Sequence, residues 1–212
     1  MREIMLYDEI GPGYYGLLDG AWMAQELRDA GAEPVRLRIN SPGGSVFEGQ
    51  AMYSLLQNHA PGVTVVIDAL AASAASFVAM AGSRIEIAEN AMVMIHKASA
   101  LVWGDQRAHE KAANLLQKVD EQLVAQYVAR TGRDAQQIRD WMAAETWMSA
   151  SEAVERGFAD AVGTKNNTRP AAVRPGAFAR TPDHLLAAMA RPSARVQAAA
   201  NERRLRIARA SI

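Results

Sequence analysis

Two residues in this sequence have the chemistry of nucleophilic catalysis. Ser73 is set among alanines in Ala71-Ala72-Ser73-Ala74-Ala75, and His96 closes the apolar run Met92-Val93-Met94-Ile95. Acyl transfer needs a nucleophile, an imidazole to take its proton, a group that orients the imidazole, and backbone N–H donors for the oxyanion. The turn Pro42-Gly43-Gly44 offers such donors, because Gly43 and Gly44 carry no Cβ to hold a substrate carbonyl away. Each feature alone has an ordinary explanation: a serine amid alanines packs helices, a histidine at a strand end is satisfied by its neighbours, and Pro-Gly-Gly makes a turn. Ser76, one helical turn beyond Ser73, competes for the nucleophile's role on the same terms. In combination the parts fit acyl transfer.

The elements that must position these residues alternate between strand and helix. Residues 2–7 read as a short strand, broken by Gly11, Pro12 and Gly13 before a helical pattern from Leu17 to Ala30 that Gly31 ends. Val35 to Ile39 alternates apolar and basic residues, the mark of a strand with one buried face. Phe47, Met52, Leu55 and Leu56 give a helix, and Val63 to Ile67 a β-branched run suited to a buried strand. The small residues Ala69 to Ser76 lead into Phe77, Val78 and Met80 and read as a tightly packed helix ended by Gly82, with Ser73 near a strand-to-helix junction. Ile85 to Ala88 and Met92 to Ile95 are two more strands, the second ending at His96, a usual place for function in α/β sheets. Residues 105–130 contain neither Gly nor Pro and predict one helix of about 38 Å. A helix over 134–144 and one opened by Ser149-Ala-Ser-Glu152 as a capping box follow.

Composition removes several classes of chemistry. The chain has no cysteine, so disulfides, thiolate metal sites and a cysteine nucleophile are excluded. The first residues carry charges where a signal peptide has an apolar run, and no stretch approaches the roughly 18 apolar residues of a membrane span, so a cytoplasmic location is expected and no membrane partner. Charge is divided: residues 165–212 hold ten of the 23 Lys/Arg and only Asp183 and Glu202 of the 23 acids, giving the tail +8 and the rest −8. Such a split fits two jobs, or a tail that meets an acidic partner.

The strings INSPGGSV, AASAASFVAMAG, MVMIHK, a long helix ending in RTG, and MSASEAVERGFAD occur in this order across residues 3–163 and resemble the ClpP (Clp protease proteolytic subunit) family. The resemblance implies an α/β fold of the ClpP/crotonase type, a spiral of ββα units with a long handle helix. It also implies a serine peptidase that assembles into homo-oligomeric rings, stacked through that helix. By position it makes Ser73 the nucleophile and His96 the base, demotes Ser76, and puts the oxyanion donors at Gly43 and Ala74, with Gly44 able to replace Gly43. The third triad position falls on Glu145, where the family commonly has aspartate; Asp140 is the alternative. A glutamate can orient an imidazole, but its extra methylene requires a slightly more distant backbone. No cofactor and no metal is needed.

Two further features refine the expectation. A ClpP subunit that works with an unfolding ATPase carries an extra N-terminal segment, whereas here the first strand begins almost at once, and the basic Ala/Arg/Pro tail is foreign to that version. Short ClpP-like sequences with such a tail resemble the head-maturation (prohead) peptidases of tailed bacteriophages. The expectation is therefore a peptidase domain over 1–163 and a basic tail over 164–212, with 164–180 a linker and short helices after Pro182 and Ser193. Its activity would be ATP-independent endoproteolysis of scaffold or capsid protein in the host cytoplasm. Rivals are a housekeeping subunit with an ATPase, a crotonase-fold acyl-CoA enzyme, which has no use for a Ser-His pair, and a non-catalytic ring component in which Ser73 only packs. Nucleic-acid binding by the tail is not favoured over a solvated interaction segment. A serine-lysine dyad through Lys97 is disfavoured because adjacent strand residues point to opposite faces.

Overall fold

The computed structural model describes residues 1–11, 18–168, 170–171, 177–182 and 185. Five parallel strands run in the order β1 (Arg2–Leu6), β2 (Val35–Ser41), β3 (Val63–Ala72), β4 (Arg84–Ala88) and β7 (Ala161–Gly163). A sixth, β5 (Met92–Ile95), also runs parallel to β3, and β6 (Thr146–Ser149) pairs antiparallel with β5. The α/β expectation holds, with a mostly parallel sheet. Val35, Leu37 and Ile39 are fully buried while Arg36 and Arg38 stay partly exposed, as the alternation of β2 requires.

Strand β3 serves two neighbours. Thr64 to Ile67 pair with β4, and Leu70 to Ala72 pair with β5. Between the two halves lies Asp68, fully buried, whose carboxylate accepts from Arg38 Nε at 2.8 Å, from a second Arg38 nitrogen, and from the Tyr7 hydroxyl at 2.6 Å. A buried carboxylate persists only with such partners. Asn166 donates to the Asp68 carbonyl at 2.8 Å, so the chain beyond β7 is tied to the middle of the sheet.

Helices α1 (Gly20–Ala30) and α2 (Val46–Gln57) are capped by Asp19 and Ser45, and Glu48 of α2 accepts from the Gly20 N–H, joining the two. A short α3 (Ala74–Ala79) is wholly buried. The long α4 (Gln106–Thr131) runs from an Asp105 cap to Gly132, whose φ of 67° closes it in the left-handed region. Its buried residues, Val119, Leu123, Val124 and Tyr127, all lie in the second half, so the first half projects from the body. α5 (Ala135–Ala143) and α6 (Ala150–Glu155) follow, the latter with the expected Ser149/Glu152 capping box.

Three features depart from expectation. Ala69 to Ala72 continue β3 and are not helical: parallel pairing with β5 outweighs the helix preference of alanine. β6 and β7 exist because they complete ladders with β5 and β4, partners that no local pattern encodes. The expected linker is partly fastened, with Ala171 N–H donating to Asn40 at 2.8 Å. Pro12, Gly13, Leu17 and the helices expected after Pro182 and Ser193, apart from Pro182 and Leu185 themselves, lie outside the described residues. No described helix is long and apolar enough to cross a membrane.

Candidate active site

The site is built where parallel strands end. Ser73 follows the last residue of β3, His96 follows the last residue of β5, and Pro42-Gly43-Gly44 follows β2. Because Ala72 pairs with Met94 and Ala71 pairs with Ser41, these three exits lie side by side at the carboxyl edge of the sheet.

Ser73 leaves the strand with φ 53° and ψ −126°, in the left-handed half of backbone space that L residues avoid. Conformations of this kind cost on the order of 1–3 kcal/mol and persist only where the surroundings impose them. Here the Ser73 N–H donates to Met94 O at 2.9 Å, and its carbonyl accepts from the Ser76 N–H at 2.9 Å and the Ser76 hydroxyl at 2.6 Å. The sharp turn brings the Ser73 hydroxyl to 2.7 Å from His96 Nε2. The sequence-predicted pair is thus in hydrogen-bond contact.

Ser76 itself is fully buried and bonded to the Tyr127 hydroxyl at 2.7 Å. It therefore acts as a bracket for the Ser73 turn and is closed to substrate. Burial pushes the Tyr127 phenol far above its ordinary range, so it stays protonated.

The two glycines have different surroundings. Gly43 N–H is committed to the Ser41 hydroxyl at 3.1 Å. A Cβ at Gly43 would meet Ala72 O at 2.5 Å and Ala74 N at 2.7 Å, so Gly43 is what lets this turn lie against the serine. Among the described residues Gly44 N–H has no acceptor, and Gly44, unlike Gly43, lines the cavity in front of Ser73. Ala74 is the first residue of α3, so its N–H precedes any intrahelical partner. Among the described residues the Gly44 and Ala74 N–H groups are thus the backbone donors left open beside Ser73, while the Gly43 N–H is occupied. The Ser41 hydroxyl oxygen is what accepts from the Gly43 N–H.

Glu145 comes to His96 through β6. The pairing of Ile95 with Thr146 leaves His96 and Glu145 as the next facing positions of the β5–β6 ladder. Yet among the described residues Glu145 makes no hydrogen bond with the imidazole. Its carboxylate accepts from the N–H groups of Ala179 at 2.7 Å and Arg180 at 2.6 Å, and from Trp147 Nε1 at 3.2 Å. Phe178 of the same segment stands edge-on to His96, ring centroids 5.4 Å apart. Burial pushes the His96 imidazole below its ordinary value of 6.5, against the upward pull of Glu145 and of Asp120, a carboxylate on α4 that the sequence reading missed. Asp120 also accepts from the Ala98 N–H at 2.8 Å, fixing the chain just after His96.

The remaining candidates are not at the site. Asp140 is exposed and bonded to Gln136 on its own helix. Lys97 is exposed, as expected for the residue after His96. In front of Ser73 lies a cavity of about 260 Å³ whose lining includes the apolar Val46, Phe77 and Leu123 and the polar Ser45, His96 and Ser99. No group of three or more potential metal ligands occurs among the described residues. A serine bonded to an imidazole, two backbone donors beside it and a cavity of mixed polarity in front form a set suited to acyl transfer.

The family described as Clp protease matches residues 2–166 of this chain.

Proposed function

Because the chain belongs to the Clp protease family, we propose that it is a serine endopeptidase working through Ser73, His96 and Glu145. The observation that carries the reading is the 2.7 Å contact between the Ser73 hydroxyl and His96 Nε2 on a backbone turn that only tertiary constraint sustains. Ser73 Oγ attacks the scissile carbonyl while His96 Nε2 takes its proton. Gly44 and Ala74 N–H groups receive the oxyanion, and His96 returns the proton to the leaving amine. Water then repeats the cycle on the acyl-enzyme, with His96 again as base. Glu145 orients the imidazole and stabilises its charged form. The apolar wall of the cavity suits an apolar side chain next to the cleaved bond, and an extended peptide can add its backbone along the 42–47 segment.

Clp proteases generally form oligomeric rings, and the projecting first half of α4 supports the same assembly here. A finer reading, ATP-independent trimming of scaffold or capsid protein in the maturation of a tailed bacteriophage, is supported by the basic Ala/Arg/Pro-rich tail. Hydrolysis of fluorogenic peptides without ATP, with Ser73→Ala as control, tests the peptidase. Co-purification with capsid and scaffold protein, and their cleavage, tests the finer reading; intact scaffold after incubation with active enzyme contradicts it.

A further inference from the structure

Within residues 177–182, Phe178 touches His96 and two backbone amides touch Glu145. Two successive amides, Ala179 and Arg180, clamp the Glu145 carboxylate, one on each oxygen, and Arg180 also donates from its guanidinium to Ala144 O at 3.2 Å. Phe178 packs edge-on to both His96 and Trp147, the second at 5.7 Å. Leu185 is 4% exposed in a small apolar cluster with Leu70, Ala72 and Met94, of which Ala72 precedes Ser73 and Met94 accepts from its N–H. We propose that Glu145, Ala144 O, Trp147 and the outer face of His96 form a docking site for residues 177–182 of this same chain, and that its occupancy restrains the peptidase.

The direction of the effect follows from the hydrogen bonds. A carboxylate has about four acceptor positions, and three are taken by Ala179, Arg180 and Trp147. Among the described residues none is taken by His96, although Glu145 faces it across the ladder. A strap that merely supported the triad would hold Glu145 on the imidazole. This one engages both carboxylate oxygens with amide N–H groups, which draws them away from the imidazole, while Phe178 packs against the ring. Both actions disfavour the imidazolium that must form when Ser73 attacks. Withdrawal of the strap frees Glu145 to accept from His96 Nδ1. The direction of the His96 shift, downward through burial, agrees.

The inference rests on the Ser73–His96–Glu145 reading, and one experiment separates the two. Full-length chain and its Phe178→Ala, Ala179→Pro and Leu185→Asp variants are reacted with a fluorophosphonate probe, the adduct is mapped, and the His96 titration is followed by NMR, with circular dichroism checking the fold. Ala179→Pro deletes one clamping N–H, Phe178→Ala the ring contact, and Leu185→Asp the remote anchor. Restraint by the strap predicts labelling of Ser73 at least about tenfold faster in folded variants, given the weight of the orienting carboxylate in such triads, and a higher His96 pKa. Labelling that is unchanged or slower, with wild type still labelled at Ser73, overturns the strap and leaves the triad standing. No Ser73 adduct in any variant overturns both.

Discussion

His96 and Glu145 face each other one step beyond Ile95 and Thr146, the last paired residues of the β5–β6 ladder. Facing positions on antiparallel strands place Cβ atoms about 4.5–5.5 Å apart. At that spacing Glu145 stands beside the imidazole, whereas Asp140 is exposed and bonded to Gln136, so Glu145 is the acid we propose for the orienting role. In a strap-released background such as Phe178→Ala, a Glu145→Gln substitution keeps the shape and removes the charge, so kcat/KM for a peptide should fall by about a hundredfold to ten-thousandfold. Asp140→Asn should leave it within about twofold, since exposed polar changes of this kind are nearly neutral. Equal losses for the two would remove Glu145 from the mechanism.

The acid side of the pH–rate profile reports His96. The base is the neutral ring, and burial lowers its pKa, so the ring stays neutral to a lower pH than an ordinary histidine. Activity should therefore be half-lost below pH 6.5, the ordinary value. A limb centred above 6.5 in wild type would contradict the burial described here.

Ser76 brackets the nucleophile and should behave as a structural residue. Ser76→Ala leaves the buried Tyr127 hydroxyl without its partner, which should cost about 1–3 kcal/mol in chemical denaturation. The probe adduct should remain on Ser73. An adduct lost with Ser76 in a folded protein would reverse the two assignments.

Gly44 cannot carry a side chain without moving the β1–β2 exit. Its φ is 143°, and a Cβ would lie 2.0 Å from Ile10 O. Gly44→Ala should displace one oxyanion donor and lower kcat by about a hundredfold or more, with a smaller effect on KM. A change confined to KM would assign this turn to substrate binding alone.

Much of this arrangement is legible in the residues, and what is not has a physical cause. The strands β2, β4 and β5, the long α4 and the capping box at Ser149 are encoded by local periodicity and caps, which is why the exits carrying Gly44 and His96 can be placed from sequence. Ala69 to Ala72 mislead because alanine favours helix and only pairing with β5 makes them strand. Thr146 to Ser149 carry no alternation long enough to mark β6, and so the proximity of Glu145 to His96 is invisible without the family resemblance. Asp120 and Phe178 reach the histidine from a helix face and a tail, and their sequence separation gives no signal.

The central claim is that His96 activates Ser73, and covalent labelling with a fluorophosphonate, read by intact mass and peptide mapping on the full chain, tests it most directly. A single adduct on Ser73 is expected, absent in Ser73→Ala and formed at least about a hundredfold more slowly in His96→Ala. An adduct at another serine, no adduct on assembled protein, or an undiminished rate in His96→Ala would contradict it.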